Sequence, residues 1–512
     1  MDQLTHLLDG FAQILTLQNL LWVTIGAFLG TAIGVLPGLG SAMAVGLLLP
    51  LTFTLEPLSA LTMFAGIYFG GLFGDSIAGI LMNTPGNSTA IASAFEGHMM
   101  AKKGRAAQAL ATAAIGAFIG GIIATTLVVF FAPSMAGLAE QFGPAEYFAL
   151  ALFAFVAIST VVADSVVRGL AALSIGLALA MVGIDQSTGT ARFTFGIPAL
   201  FDGISVVVIT VALLAIGEVL HVASKVGRPD DKSLIKTEGR PWLSKVEFRA
   251  ALPAWLRGTA FGVPFGIIPA GGAEVPTFLA YGTERKLDAR RKVPMFGKGS
   301  IQGVAGPEAA GNATAGSAMG ALLALGLPTS ATAALLLVAF RQYGMQPGPL
   351  LFERSADIVW ALLAALFIAM VILNLPFAPM WALLLRVPKE YLYAGITVFA
   401  AFGVYAAGAS TIDLAVMIAI GLLGYVMRQY DVPLAPVLIA LILGPLAEYS
   451  LRDAMANSGN NPAVLVSSPI TIGLYAVLIG GVIWNGYRRV QEKKLAAELM
   501  AVSEAEQETA TR

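Results

Sequence analysis

Apolar stretches long enough to cross a bilayer as helices, about 20 residues each, recur along the whole chain. They cover roughly 20–54, 106–132, 145–163, 169–184 and 200–222, then 258–282, 300–340, 355–378, 390–408, 412–427, 432–447 and 467–487. Basic residues order them, because Lys and Arg gather on the inner side of a membrane. None precedes Lys102, so the N-terminus and the Leu55-Glu56-Pro57 turn read as outside. Lys102, Lys103 and Arg105 mark the first inner loop. Four spans return the chain to the inner side, at the most charged stretch, 225–257, which carries Lys225, Arg228, Lys232, Lys236, Arg240, Lys245, Arg249 and Arg257. The stretch 258–282 then leads to Arg285, Lys286, Arg290, Arg291, Lys292 and Lys298, again inside, so it enters and leaves on one face. Arg341 and Arg354 stand in a region of sparse positive charge, read as outside, and the last span ends inside at Arg488, Arg489, Lys493 and Lys494.

A glycine-proline pattern appears twice within these stretches. Gly26, Gly30, Gly34, Pro37, Gly38 and Gly40 are matched by Gly258, Gly262, Gly266, Pro269, Ala270 and Gly272, each 232 residues further on. Proline and glycine break a helix, and irregular backbone at membrane depth survives only where protein or water covers it. The first stretch opens outward and the second inward. The expectation is an all-α polytopic membrane protein with an inverted-topology repeat and re-entrant hairpins tipped at Pro37-Gly38 and Pro269-Ala270. The halves would be 1–222 and 258–450, joined by a cytoplasmic linker, 223–257. An extra C-terminal span, 451–487, and a cytoplasmic tail, 488–512, complete the chain.

Composition supports a membrane class. Of 512 residues, 57% are hydrophobic and 12% charged, where a soluble domain carries about 25% charged. Mean hydropathy is +0.80. A net charge of −1 leaves no nucleic-acid footprint. The absence of cysteine excludes disulfides and thiol chemistry. The N-terminus has neither the basic region nor the cleavage site of a removable signal peptide. No His/Asp/Glu spacing suggests a metal site, and no nucleophile-base pair or nucleotide loop suggests an enzyme.

A second pair of breaks concentrates polar groups. Asn83-Thr84-Pro85-Gly86-Asn87-Ser88-Thr89 is matched by Gly326-Leu327-Pro328-Thr329-Ser330-Ala331-Thr332, their prolines 243 residues apart. Such breaks free carbonyls for a cation and helix N-termini for a carboxylate. The substrate site is expected at Pro37, Gly38, Gly40, Asn83, Thr84, Gly86, Ser88, Thr89, Gly271, Gly272, Asn312, Thr314, Thr329 and Ser330. The alternative is that these hydroxyls and amides satisfy one another between packed helices. Acids at membrane depth are costly and point to function. Asp75 and Glu308, with Asn83 and Asn312, are the candidates for ion coupling, ahead of Glu274. The structural reading of Glu308 pairs it with Lys298 or Arg291. Hairpins opening on opposite faces suit an elevator motion, with the tips moving relative to spans near 106–132.

The chain resembles the large membrane subunit of the tripartite tricarboxylate transporters, the TctA type. Three blocks carry the likeness. The first is Gly34-Val35-Leu36-Pro37-Gly38-Leu39-Gly40 with Leu48-Leu49-Pro50-Leu51-Thr52-Phe53. The second is Asn83-Thr84-Pro85-Gly86 with Ala101-Lys102-Lys103-Gly104. The third runs from Phe278-Leu279-Ala280-Tyr281 through Phe296-Gly297-Lys298-Gly299 to Gly303-Val304-Ala305-Gly306-Pro307-Glu308. Ala270 stands where the family has Gly, Asp75-Ser76 where Thr-Ser is common, and Glu96-Gly97-His98 where Asp-Gly-Tyr is common. The resemblance implies a permease of the bacterial inner membrane, N-terminus outside and C-terminus inside. It would accept a carboxylate from a periplasmic solute-binding protein and work with a small four-helix membrane subunit. A Na+ or H+ gradient, with no cofactor or ATP, would drive it. A proton-coupled symporter using Asp75 or Glu308, and a passive channel, are the rival readings.

Overall fold

A computed structural model describes residues 2–36, 40–83, 88–139, 141–161, 165–185, 188–224, 241–268, 272–291, 293–373 and 389–483. The helices of the first half are α1 (Asp2–Ile14), α2 (Leu17–Gly34), α3 (Ser41–Thr52), α4 (Pro57–Met82), α5 (Ser88–Met100), α6 (Ala106–Ala139), α7 (Pro144–Val161), α8 (Val166–Ala180), α9 (Val206–Val211) and α10 (Gly217–Ala223). Those of the second are α11 (Lys245–Ile267), α12 (Glu274–Asp288), α13 (Ile301–Leu325), α14 (Ala331–Gln342), α15 (Leu351–Arg354), α16 (Ala356–Leu373), α17 (Lys389–Gly408), α18 (Thr411–Gln429), α19 (Ala435–Asn457) and α20 (Pro469–Ile483). Among the described residues, strand is confined to one two-residue antiparallel pair, β1 (Gly183–Ile184) and β2 (Ala191–Arg192). Among the described residues, seven helical stretches are long and apolar enough to span a membrane.

The glycine periodicity sets the packing. A Cβ on Gly26, Gly30 or Gly34 of α2 would collide with the carbonyl oxygens of Met63, Ile67 and Gly71 on α4. Reciprocally, Gly66, Gly70 and Gly74 lie against the carbonyls of Val23, Ala27 and Thr31. Both series rise together, so α2 and α4 run parallel with their backbones in contact, the approach that small residues permit. The intervening α3 therefore runs back: Ser41 at its start lies against Gly71, level with the end of α2.

The second half repeats this arrangement. Gly258, Gly262 and Gly266 of α11 abut the carbonyls of Gly306, Ala310 and Thr314 on α13. On α12, Thr277 lies against Gly311, and Glu284 further along lies against Gly306, so α12 returns antiparallel to α13. The long helices also stop alike. Asn83 ends α4 at φ 54 and Gly326 ends α13 at φ 69, both left-handed. That conformation frees glycine from strain and is tolerated by asparagine.

Helix α13 is buried along nearly its whole length. Helix α6 lies along it in the same direction: Gly120 meets the Ala309 carbonyl, Gly316 meets Ala124, and Gly320 meets Val128. So α6, α11 and α13 pack as one body. A second set of contacts joins α8 to α19, with Gly176 on the Val437 carbonyl, and α10 to α18, with Gly217 on Gly424. The short α3 and α14 run side by side and are tied at both ends. Ser41 Oγ and Thr332 Oγ1 are 2.9 Å apart, and the Tyr343 hydroxyl donates to the Thr52 carbonyl.

One boundary differs from the sequence reading. Helix begins at Lys245, inside the stretch read as linker to 257. The reason is local: Ser244 accepts from the Glu247 amide at 3.2 Å while Glu247 Oε2 accepts from the Ser244 amide at 2.9 Å. That capping box satisfies two backbone donors and starts the helix upstream of the apolar run.

Candidate functional site

Three helix N-termini meet at one cavity of about 140 Å³. Helix α3 brings Ser41 and Ala42, α12 brings Ala273 and Glu274, and α14 brings Ala331 and Thr332 behind its N-cap Ser330. The first N–H groups of each helix have no partner within that helix, and the N-terminal end carries partial positive charge. Tyr68 and Leu72 of α4 and Gly311 and Thr314 of α13 form the wall, with Ile158, Ala435 and Ile439 opposite in the chain order.

The polar side chains divide into committed and uncommitted groups. Thr314 Oγ1 donates to the Ala310 carbonyl at 2.8 Å and lies 3.1 Å from the Gly262 carbonyl. Ser330 Oγ accepts from the Ala333 amide at 3.2 Å and pairs with Tyr68. Thr329 is different: it is 1% exposed, and its Oγ1 has no hydrogen-bond partner among the described residues. A buried hydroxyl left unpaired costs about 1–3 kcal/mol.

Of the expected substrate residues, Gly272, Thr314, Thr329 and Ser330 line this cavity, and Gly40 is the buried N-cap of the adjoining α3. Asn83 is exposed at the end of α4 and is not in the lining. Pro37, Gly38, Thr84, Gly86 and Gly271, and the tip pair Pro269-Ala270, lie outside the described residues. So do the side chains of Ser88 and Thr89, whose backbone opens α5. Sequence reasoning missed Ser41, Tyr68 and Thr332 as lining residues. Ser41 directly follows the matched Gly40, and Thr332 closes the quoted break, so both had a signal. Nothing in the chain order marks Tyr68.

Glu308 and Asn312 form a separate buried cluster one turn apart on α13. Ser76 Oγ donates to Glu308 at 2.7 Å (Oε1) and 2.9 Å (Oε2), and Ser93 of α5 pairs with the same carboxyl. The pairing of Glu308 with Lys298 or Arg291 is not found. No Lys, Arg or His nitrogen among the described residues lies within 4.0 Å of its carboxylate. Instead Lys298 offers its carbonyl to Lys103 at 2.6 Å, and Arg291 sits 3.5 Å from Asp288. Asn312 Nδ2 donates to the Glu308 carbonyl at 3.0 Å, leaving Oδ1 buried and unpaired. A carboxylate, two hydroxyls and an amide oxygen are hard oxygen donors of the kind a small cation takes. Asp75, fully buried on α4 beside Ser76, is not in the cavity lining.

Glu96, one of the positions that depart from the family pattern, has a structural task. Its buried carboxylate accepts from the amides of Gly297 (2.6 Å), Gly299 (2.9 Å) and Ser300 (2.7 Å). It thereby fixes the loop that starts α13 and neutralises that helix end.

The family model described as "Tripartite tricarboxylate transporter TctA family" matches residues 20–439. An Agrobacterium vitis protein described as an uncharacterized 52.8 kDa protein in the TAR-I ttuC' 3' region is 39% identical over 480 residues, covering 93% of this chain and 95% of its own. A second A. vitis protein, from the TAR-II ttuC' 3' region, is 37% identical over 216 residues, covering 42% of this chain and 88% of its own. No solved structure matches the chain. With its apolar spans and glycine-packed helices, and a family match over residues 20–439, the chain belongs to the tripartite tricarboxylate transporter TctA family.

Proposed function

We propose that this chain is the permease that carries organic di- or tricarboxylates through the bacterial inner membrane, driven by a Na+ or H+ gradient. One observation carries the reading: the N-terminal ends of α3, α12 and α14 converge on one cavity, with the Thr329 hydroxyl buried in its wall and without a partner among the described residues. Helix N-termini hold carboxylates by N–H donation and by dipole, without a fixed counter-charge that would trap the ligand. At about 140 Å³ the cavity is smaller than common ligand pockets of about 300–1,000 Å³, so a tricarboxylate would need it to widen. Membership of a family described as tripartite supports a periplasmic binding protein and a small four-helix membrane subunit as its proposed partners.

The two halves are proposed to be an inverted repeat with re-entrant hairpins α2–α3 and α11–α12. Opposite chain directions support it. Ser76 of α4 lies on Glu308, while Phe69, earlier on α4, adjoins Gly121 of α6, which is level with Gly316 later on α13. The distribution of Lys and Arg supports an N-terminus outside and a C-terminus inside. The cluster of Glu308, Asn312, Ser76 and Ser93 is proposed as the coupling-ion site. A proton-coupled version is favoured by one fact, that the Glu308 carboxyl is buried among hydroxyl donors with no cationic partner.

Uptake of a panel of di- and tricarboxylates by the reconstituted three-component system tests this, with sodium and the pH gradient varied separately. Sodium-dependent uptake assigns the ion as Na+, and uptake needing only the pH gradient assigns H+. Flux without binding protein or gradient would mean a channel and overturn the reading.

A further inference from the structure

A second cavity, of about 680 Å³, lies beyond the α13–α14 break, among the end of α13, the end of α14, the 343–350 loop and the start of α7. Arg341 and Arg354 line it, together with Tyr147, Gln346 and Tyr449, and no Asp or Glu is among its lining residues. Neither arginine has an ion pair or hydrogen bond to a described residue, whereas other charges of this region have partners. Arg192 and Arg452 are both bound to Asp185 and Glu448, and Glu146 is held by the Gly143 amide at 2.9 Å. The chamber is thus a concave space with two unneutralised guanidinium groups, and its size falls in the range of small-molecule pockets.

The break itself separates this chamber from the inner cavity. Leu325 and Gly326 line the outer space, while Thr329 and Ser330 line the inner one. The loop that floors the chamber is stitched to α13 by the Gly348 amide on the Leu323 carbonyl at 3.1 Å. We propose that the Arg341/Arg354 chamber is a second, waiting site for an anionic small molecule bearing carboxylates, one polar break away from the cavity that binds it for transport. Guanidinium forks hold carboxylates in planar two-point contacts, and an acid-free wall concentrates anions. The inference rests on the reading that the chain carries carboxylates, but it concerns a different set of residues.

The test is modification of the purified full-length chain by phenylglyoxal, in discs of zwitterionic lipid, read by mass spectrometry at the peptides carrying Arg341 and Arg354. Millimolar citrate is expected to slow both modifications about threefold or more, with chloride at equal ionic strength without effect. The protection is expected to persist in a Thr329→Val variant, which alters only the inner cavity. Absence of protection by citrate and by succinate overturns the proposal. So does protection that appears only when the discs contain phosphatidylglycerol, which would make the chamber a lipid headgroup site. In the reconstituted system, Arg341→Gln and Arg354→Gln are expected to slow uptake about three- to tenfold at low substrate, with partial recovery in the Lys variants. Normal uptake in both Gln variants overturns this site and leaves the transport reading standing. Citrate protection in a system that transports no carboxylate supports this site and overturns the transport reading.

Discussion

Thr329 shows how one side chain separates binding from packing. Its buried hydroxyl has no partner, so Thr329→Val is expected to leave the melting temperature of the purified protein unchanged or slightly raised. If the hydroxyl donates to substrate, uptake falls about tenfold or more, since a hydrogen bond to a charged group is worth about 1.5–3 kcal/mol. Unchanged uptake would make the residue packing alone. Glu308→Gln addresses the coupling site. The amide keeps the shape and the Ser76 and Ser93 contacts but cannot carry the charge. Loss of gradient-driven uptake, with carboxylate exchange across the membrane retained, is the expected outcome in proteoliposomes. At this scale the sequence pointed to four residues that do line the cavity, Gly272, Thr314, Thr329 and Ser330, because glycines and hydroxyls in a long apolar stretch stand out. It did not point to Tyr68, an ordinary aromatic on an apolar helix until α14 is packed against it.

Among elements, the glycine ladders are the feature most fully written in the chain. Each ladder glycine lets one backbone rest on another, so Gly30→Leu and Gly262→Leu are expected to abolish correctly folded protein, seen as loss of the monodisperse peak in detergent. Even a smaller intrusion into a packed contact costs about 1–3 kcal/mol. The capping box at Ser244 was less visible because it lies among charges that read as linker. Burial alone would raise the Glu247 carboxyl, but the Ser244 hydrogen bonds and the Arg105 guanidinium outweigh it and hold the group below its ordinary value. A lowered folded pKa means stability that is present above the ordinary carboxylate pKa, about 4.3, and lost as pH falls through the folded value. The melting temperature of Glu247→Gln should therefore lie below the parent at pH 7 and converge on it in acid. A constant gap across that range would place the contribution elsewhere.

For the whole molecule, packing redraws the boundary of any elevator. Spans near 106–132 suggest a fixed reference, but α6 lies backbone-close against α13, whose residues line the cavity. The moving body would then include α6, and the reference shifts to α8, α18 and α19. The chain has no cysteine, which makes a clean background for cross-linking. Ala318→Cys on α13 with Ile439→Cys on α19, both at the cavity wall, is expected to cross-link in only one of the inward and outward conditions. A pair joining α6 to α13 should cross-link in both. Equal α13–α19 cross-linking in the two conditions would end the elevator proposal.

What the amino-acid order determined by itself was the membrane class, the paired glycine ladders and the paired polar breaks. Each follows from local rules: apolar length, the missing Cβ of glycine, and the missing N–H of proline. What only the tertiary structure decided was company. That Glu308 meets Ser76 and Ser93 instead of Lys298 or Arg291, that α3, α12 and α14 start at one cavity, and that Arg341 and Arg354 share a chamber with Tyr147 and Tyr449 all join residues far apart in the chain. Such pairings depend on how parallel and antiparallel helices interlock at contact distance, which no local pattern encodes.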